Sequence, residues 1–203
     1  MVIAIGVLEL QGGFELHHNL LKKIGINSTA VKVETDFNAI DGLIIPGGES
    51  TTLSLLIEKF ELKGPIVNFA KSHPVLGTCA GLILMSKKID DERINPLGLL
   101  DLKIKRNAYG RQIKSSKKKV MCGFNQENIE LVSTFIRAPK IENCGKNIDV
   151  IGKIQDCPVA VFSKNILGLS FHPEIDGIDI FHRMMFDKSS RLYYKKIKQD
   201  YAA

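Results

Sequence analysis

The feature that most constrains this chain is a short grammar repeated along its first half: an apolar run, a turn of small residues, then a helix-patterned stretch. Val2 to Leu8, Gly42-Leu43-Ile44-Ile45-Pro46 and Pro74-Val75-Leu76-Gly77-Thr78 are runs without the in-out alternation of a one-sided strand. Such runs suit strands covered on both faces, as in a parallel sheet. Asn27 to Val33 supplies a further strand. Parallel neighbours need crossovers, and the stretches between the runs provide them. Phe14, Leu16, Leu20, Leu21 and Ile24 recur near helical spacing before Gly25, which suits a left-handed helix stop. Leu53, Leu56 and Ile57 do the same after Gly47-Gly48-Glu49-Ser50-Thr51-Thr52, where Ser50 or Thr51 is the expected cap. Ala80 to Met85 follows the last of these runs as a helix. The expected fold is α/β: a three-layer, open, mostly parallel sheet with helices on both faces.

Beyond Leu99 the pattern changes. Leu102 to Lys105, Ile129 to Ile136, Asp149 to Ile154, Val159 to Ser163 and Ile166 to Phe171 read as short strands, a mixed or antiparallel extension of the sheet. Ile178 to Tyr201 is expected to close the fold as one helix with a basic outer face. With 203 residues, 44% hydrophobic and 25% charged, the chain suits a single domain over residues 1–203 and excludes disorder as its main state. No apolar run approaches the ~18 residues of a membrane span, and the amino terminus reads as a strand rather than a signal peptide. A cytoplasmic location without membrane contact is expected. The net charge of +6 gathers in Lys114 to Lys119 and Lys188 to Lys198, which read as solvated faces rather than a nucleic-acid surface. No Cys-x-x-Cys or His-Glu-x-x-His spacing occurs, so no metal is expected.

In open α/β sheets ligands bind beyond the carboxyl ends of the strands, which singles out Glu9 to Gly13, Gly47 to Thr51 and Thr78 to Gly81. Gly77-Thr78-Cys79-Ala80-Gly81 has the small-x-nucleophile-x-small form of a nucleophile elbow, with cysteine as the nucleophile. A lone cysteine is more often a buried structural thiol, the reading kept for Cys122, Cys144 and Cys157. At Cys79 the order of strand, elbow and helix favours chemistry instead: the helix start favours a thiolate, and the Ala80 amide can face an oxyanion. His172 follows a strand and precedes Pro173-Glu174, so it is the expected base, with Glu174 fixing its tautomer. His17, His18, His73 and His182 read as surface or core histidines. Gly47-Gly48 is either an ordinary tight turn or a second oxyanion donor. A phosphate loop is disfavoured, because Gly-x-x-x-x-Gly-Lys-Ser/Thr is absent. Glu49 either receives a substrate ammonium or sits in solvent.

Together Leu8-Glu9-Leu10-Gln11-Gly12, Pro46-Gly47-Gly48-Glu49-Ser50-Thr51-Thr52, Gly77-Thr78-Cys79-Ala80-Gly81, Arg106-Asn107-Ala108-Tyr109-Gly110-Arg111-Gln112, Phe135-Ile136-Arg137-Ala138-Pro139 and Phe171-His172-Pro173-Glu174 carry a resemblance. The chain resembles the glutaminase subunits of pyridoxal 5′-phosphate synthase, a branch of the class I glutamine amidotransferases with a flavodoxin-like sheet. The resemblance implies Cys79 as nucleophile, His172 as base and Glu174 as its orienter. It places glutamine among Gly47, Gly48, Glu49, Ser50, Arg106, Ile136 and Arg137, with oxyanion donors from the backbone of Gly47, Gly48 and Ala80. Gln11 and Gly12 are implied as a partner or channel loop. The implied reaction hydrolyses L-glutamine to L-glutamate and ammonia through a cysteine thioester. The ammonia is delivered, within a hetero-oligomer, to the synthase that makes pyridoxal 5′-phosphate in vitamin B6 biosynthesis. Pyridoxal 5′-phosphate is then a product of the complex, and no cofactor is expected.

The chain departs from the family at Glu9, where alanine is common, and over Ile113 to Phe124, which is lysine-rich and lacks Asp-Ser-Phe; both bear on partner contacts. A glutaminase serving the imidazole glycerol phosphate pathway is disfavoured by Gly-Gly-Glu-Ser-Thr-Thr. A non-catalytic amidotransferase-like module is disfavoured by the presence of Cys79, His172 and Glu174.

Overall fold

The computed structural model describes residues 3–106, 115–124 and 127–196. The first half runs β1 (Ala4–Leu8), α1 (Phe14–Lys23), β2 (Asn27–Val31), β3 (Gly42–Ile45), α2 (Ser50–Lys59), α3 (Lys63–Ala70), β4 (Val75–Thr78) and α4 (Ala80–Met85). The second half adds β5 (Ser86–Ile89), β6 (Leu100–Lys105), β7 (Ser116–Phe124), β8 (Glu127–Phe135), β9 (Lys140–Cys144) and β10 (Asp149–Ile154). β11 (Cys157–Ser163), β12 (Ile166–Leu169) and α5 (Ile180–Phe186) follow.

Nine strands form one sheet in the order β2-β1-β3-β4-β12-β11-β10-β7-β8. The first five are mutually parallel, and the last four extend the sheet antiparallel from β12. The α/β architecture is therefore the one the repeated grammar predicts. Apolar residues of each parallel strand point to opposite faces, and each face has its own cover. Leu43 and Ile45 pack with Leu53, Ile57, Ile66 and Leu82, so α2, α3 and α4 lie on one side. Ile5, Val7, Ile44 and Leu76 pack with Leu21, Phe181 and Met184, placing α1 and α5 on the other. β5, β6 and β9 form a separate three-stranded sheet.

Local signals explain several boundaries. Gly25 ends α1 with φ +75°, while Ile26 N–H reaches Leu21 O at 3.0 Å and Gly25 N–H reaches Lys22 O at 3.1 Å. This is the paired-bond stop that glycine permits at little steric cost. The cap of α2 differs from expectation: Glu49 occupies it, its carboxylate accepting from Thr52 N at 2.9 Å, and Ser50 is the first helical residue.

The closing helix is also shorter than expected. α5 ends at Phe186, and Asp187 Oδ1 accepts from Ser189 N at 2.9 Å, a local side-chain turn that competes with helix continuation. Residues 197–201 of that expected helix lie outside the described residues, as do Val2, Lys114 and all of Asn107 to Gln112, so that Arg106 alone of that motif is described. The lysine cluster at Lys117 to Lys119 lies in β7, whose inward positions Val120, Cys122 and Phe124 are buried. No described helix is long and apolar enough to cross a membrane.

Candidate active site

β4 and β12 are parallel neighbours in the register Leu169↔Thr78, so the residues that leave their carboxyl ends emerge side by side. Cys79 leaves β4 with φ +47° and ψ −97°, a conformation that costs a non-glycine residue ~1–3 kcal/mol. It is held there by Cys79 N–H on Leu169 O at 2.8 Å, and its own carbonyl starts α4 by accepting from Ile83 N at 3.1 Å. The small neighbours are steric necessities. A Cβ on Gly81 would lie 2.1 Å from Ile45 O, and one on Gly77 would lie 2.9 Å from the Gly81 carbonyl carbon. The Cys79 sulfur lies 3.7 Å from Ile136 O.

His172 stands just beyond β12, tied by its N–H to Thr134 O at 3.0 Å. Asp176 fixes the same junction, accepting from Thr134 N at 2.6 Å and from Thr134 Oγ1 at 3.0 Å. His172 Nδ1 bonds Glu174 Oε1 at 2.7 Å, and both side chains are buried. Burial opposes a charged imidazole, but hydrogen bonds with Cys79 and Glu174 and their negative charges outweigh it and push His172 up to about 10. The proton therefore rests on His172 at neutral pH. Since Nδ1 is used by Glu174, the Cys79 side is left to Nε2.

The turn after β3 closes over this pair. A Cβ on Gly47 would lie 2.3 Å from His172 Cε1 and 3.4 Å from Cys79 Cβ, so backbone occupies the space a side chain would need. The first loop braces the turn: Gly13 N–H donates to Gly47 O at 2.9 Å, and Glu49 N–H donates to Gln11 Oε1 at 3.0 Å. Because a trans peptide holds C=O and N–H opposed, the Gly48 N–H points away from that loop. Gly12 has φ +105°, and a Cβ there would lie 2.1 Å from Gly47 O.

A cavity of about 600 Å³ opens between these elements. Cys79, His172, Glu174, Gly47, Gly48, Glu49, Ser50, Arg106, Ile136 and Arg137 all line it. Gln11 and Gly12 stand behind the turn instead, and Ala80 is buried at the start of α4. Gly13 of the first loop also lines it, and Leu16, Ile83 and Ile175, unforeseen from sequence, complete the wall. Helical spacing puts Leu16 on the buried stripe of α1, yet it is 40% exposed at the cavity while His17 takes the core position. Spacing alone does not fix which neighbour faces inward.

Arg106 and Glu49 pair with each other, Nη2 to Oε1 at 3.2 Å. The same guanidinium bonds Asp91 and, at 3.2 Å, Thr51 Oγ1. Partial burial pushes the Glu49 carboxyl up, but the Thr52 hydrogen bonds and Arg106 outweigh it and hold it below its ordinary value. Arg137 sits in the left-handed region at φ +44° and, among the described residues, has no ion-pair partner. The described residues contain no group of three or more His, Cys, Asp or Glu arranged for a metal ion.

Residues 7–188 match the model of the SNO glutamine amidotransferase family. The chain is 45% identical over 182 residues to the "Pyridoxal 5′-phosphate synthase subunit PdxT" of Francisella tularensis subsp. novicida (strain U112), covering 90% of this chain and 97% of that one. The protein of the same name from subsp. holarctica (strain OSU18) is 45% identical over 175 residues, 86% of this chain and 93% of that one. A crystal structure described as a glutamine amidotransferase superposes with a TM-score of 0.82 at 34% identity, covering 89% of this chain and 96% of that one. A glutamine amidotransferase from Thermotoga maritima shares the fold, with a TM-score of 0.59 at 12% identity over 99% of this chain and 92% of that one. The chain belongs to the SNO glutamine amidotransferase family.

Proposed function

We propose that the chain is the glutaminase subunit of a pyridoxal 5′-phosphate synthase, with Cys79, His172 and Glu174 as its catalytic triad. The observation that carries this reading is the buried row in which strained Cys79 meets a charged His172 held by Glu174 at 2.7 Å. A thiolate beside an imidazolium is ready to attack the side-chain amide carbon of glutamine. The developing oxyanion is stabilised by backbone donors at the Gly47-Gly48 turn and at Ala80.

The same geometry times the proton. Part of what raises His172 is the charge on Cys79 sulfur, and that charge disappears as sulfur bonds to carbon. The imidazolium becomes a stronger acid when the leaving ammonia needs a proton. The neutral ring then takes a proton from water, which hydrolyses the glutamyl thioester to glutamate. Arg137 suits the substrate α-carboxylate because no carboxylate among the described residues neutralises it, and Glu49, kept ionised, suits the α-ammonium. The chemistry is complete with these side chains and asks for no cofactor. A cytoplasmic setting belongs to the same reading, since the mechanism needs a reduced Cys79 and the four cysteines are free thiols.

The test is steady-state glutamate release from glutamine with and without a saturating pyridoxal 5′-phosphate synthase subunit. Stimulation by that subunit supports the assignment. Stimulation only by an imidazole glycerol phosphate cyclase would move the chain to another pathway.

A further inference from the structure

Behind the triad lies a pair of imidazoles that the reaction above does not use. His17 on α1 and His182 on α5 are both fully buried, with His17 Nδ1 and His182 Nε2 3.0 Å apart. His17 Nε2 faces the triad: it lies 3.7 Å from Glu174 Oε1 and 3.3 Å from Thr78 Oγ1. Glu174 Oε2 has no hydrogen-bond partner among the described residues, so Oε1 carries the contacts to both His172 and His17.

The proton positions follow from these contacts. Burial, reinforced by the neighbouring His182, His172 and His18, holds His17 well below its ordinary value, and burial takes His182 down to about 3 against the pull of Asp179. Both rings are neutral, each with one N–H. Thr78 Oγ1 at 3.3 Å can accept from His17 Nε2, and the Glu174 carboxylate at 3.7 Å favours a hydrogen on that nitrogen electrostatically, which leaves Nδ1 as the acceptor. His182 Nε2 must then donate to it, and His182 Nδ1 is a bare lone pair. That nitrogen is the buried His182 atom without a partner among the described residues, and a lone pair without a donor is better tolerated inside a protein than an orphaned N–H.

We propose that His17 is a positioning residue for the triad: its Nε2–H lies between Thr78 Oγ1 and the Glu174 carboxylate, His182 fixes its tautomer, and the positive end of that N–H holds Glu174 in its orientation toward His172. A neutral donor suits this place. It steadies the carboxylate without competing, as a full cation would, for the charge that holds His172 protonated. Leucine would fill the space, but would leave the buried carboxylate with His172 as its sole close polar contact.

The inference rests on the glutaminase reading, and its test separates the two. Glutamate release is measured on the full chain with its synthase partner at saturation, with thermal melts alongside. His17→Leu should lower kcat about 10- to 100-fold, by analogy with the loss on removing an outer hydrogen-bond partner of a metal ligand, with KM for glutamine unchanged. His17→Gln, whose amide nitrogen falls near the Nε2 position, should recover most of that loss. His17→Asn reaches only the Nδ1 position and should stay slow, so the Asn/Gln pair decides the matter if His17→Leu does not fold. In a Glu174→Gln background, His17→Leu should cost less than a further twofold. A full additional loss there, or parental kcat in His17→Leu or His17→Asn, would reduce the pair to packing and overturn the proposal. Undiminished glutamate release by Cys79→Ala would overturn the glutaminase reading and this inference with it.

Discussion

A methyl group at position 47 has nowhere to go but into His172. In Gly47→Ala the new Cβ would stand 2.3 Å from Cε1 and 2.9 Å from Nδ1 of that ring, where ordinary contact begins near 3.4 Å. Relief at Cε1 alone requires a displacement of about 1.1 Å, the gap between 2.3 Å and the 3.4 Å of ordinary contact. The ring is tethered to Glu174 at 2.7 Å, so a shift of that size breaks the tether, the alignment with Cys79, or both. Gly47 is not in the left-handed region, which leaves the steric clash as the cause rather than backbone strain. A misplacement of ~1 Å costs ~10²-fold in rate, or about 2.7 kcal/mol of activation free energy. The colliding atoms belong to a side chain, so the fold should survive. The assay is glutamate release with glutamine and the synthase partner both saturating, beside a thermal melt. A variant with kcat within threefold of the parent would show that His172 is not held where catalysis needs it.

Other consequences follow from the charges around the cavity. Arg137→Gln should raise KM for glutamine about 10- to 100-fold with little change in kcat, since a hydrogen bond to a charged group is worth ~1.5–3 kcal/mol; an unchanged KM would remove Arg137 from the substrate site. The profile of kcat/KM against pH should fall on its basic side as pH approaches about 10, because His172 is raised and loses its proton only there. Glu174→Gln removes one of the two groups that raise it, so this limb should move to lower pH, and an unmoved or raised limb would contradict the assignment. The ion pairing also contributes to stability: with the folded-state value raised above ~6.5, that contribution is complete below ~6.5 and is lost as pH rises toward about 10. Denaturant melts across this range should show the parent losing more stability than His172→Asn.

The parallel half of the fold is legible because its strands are apolar on both faces and its turns are built from glycine. Cys79 and His172 are legible for the same reason: each leaves the carboxyl end of a strand, and β4 and β12 are neighbours. β7 hides behind Lys117, Lys118 and Lys119, and its buried Val120, Cys122 and Phe124 alternate with exposed Met121 and Gly123, which give no polar signal for the outward face. α3 is hard to see in the sequence, because its Gly64 and Pro65 read locally as helix breakers although both are accommodated near its start. The pairing of Arg106 with Glu49 spans 57 positions and that of His17 with His182 spans 165, so no local pattern could reveal either. The neutrality of those two histidines is a property of their burial, which spacing along α1 does not determine.

The central claim is that glutamine chemistry runs through the Cys79 sulfur, and covalent trapping tests it most directly. The full chain, complexed with its synthase partner, is treated with a glutamine-mimicking alkylator, residual activity is followed, and peptides are mapped by mass spectrometry at matched times. Burial pushes the Cys122 thiol up to about 12 and raises that of Cys144, so these two stay protonated and unreactive. The account predicts one adduct, on Cys79, whose occupancy tracks the loss of glutamate release and which excess glutamine suppresses. An adduct on Cys122, Cys144 or Cys157 that tracks inactivation, or inactivation with Cys79 unmodified, would contradict it.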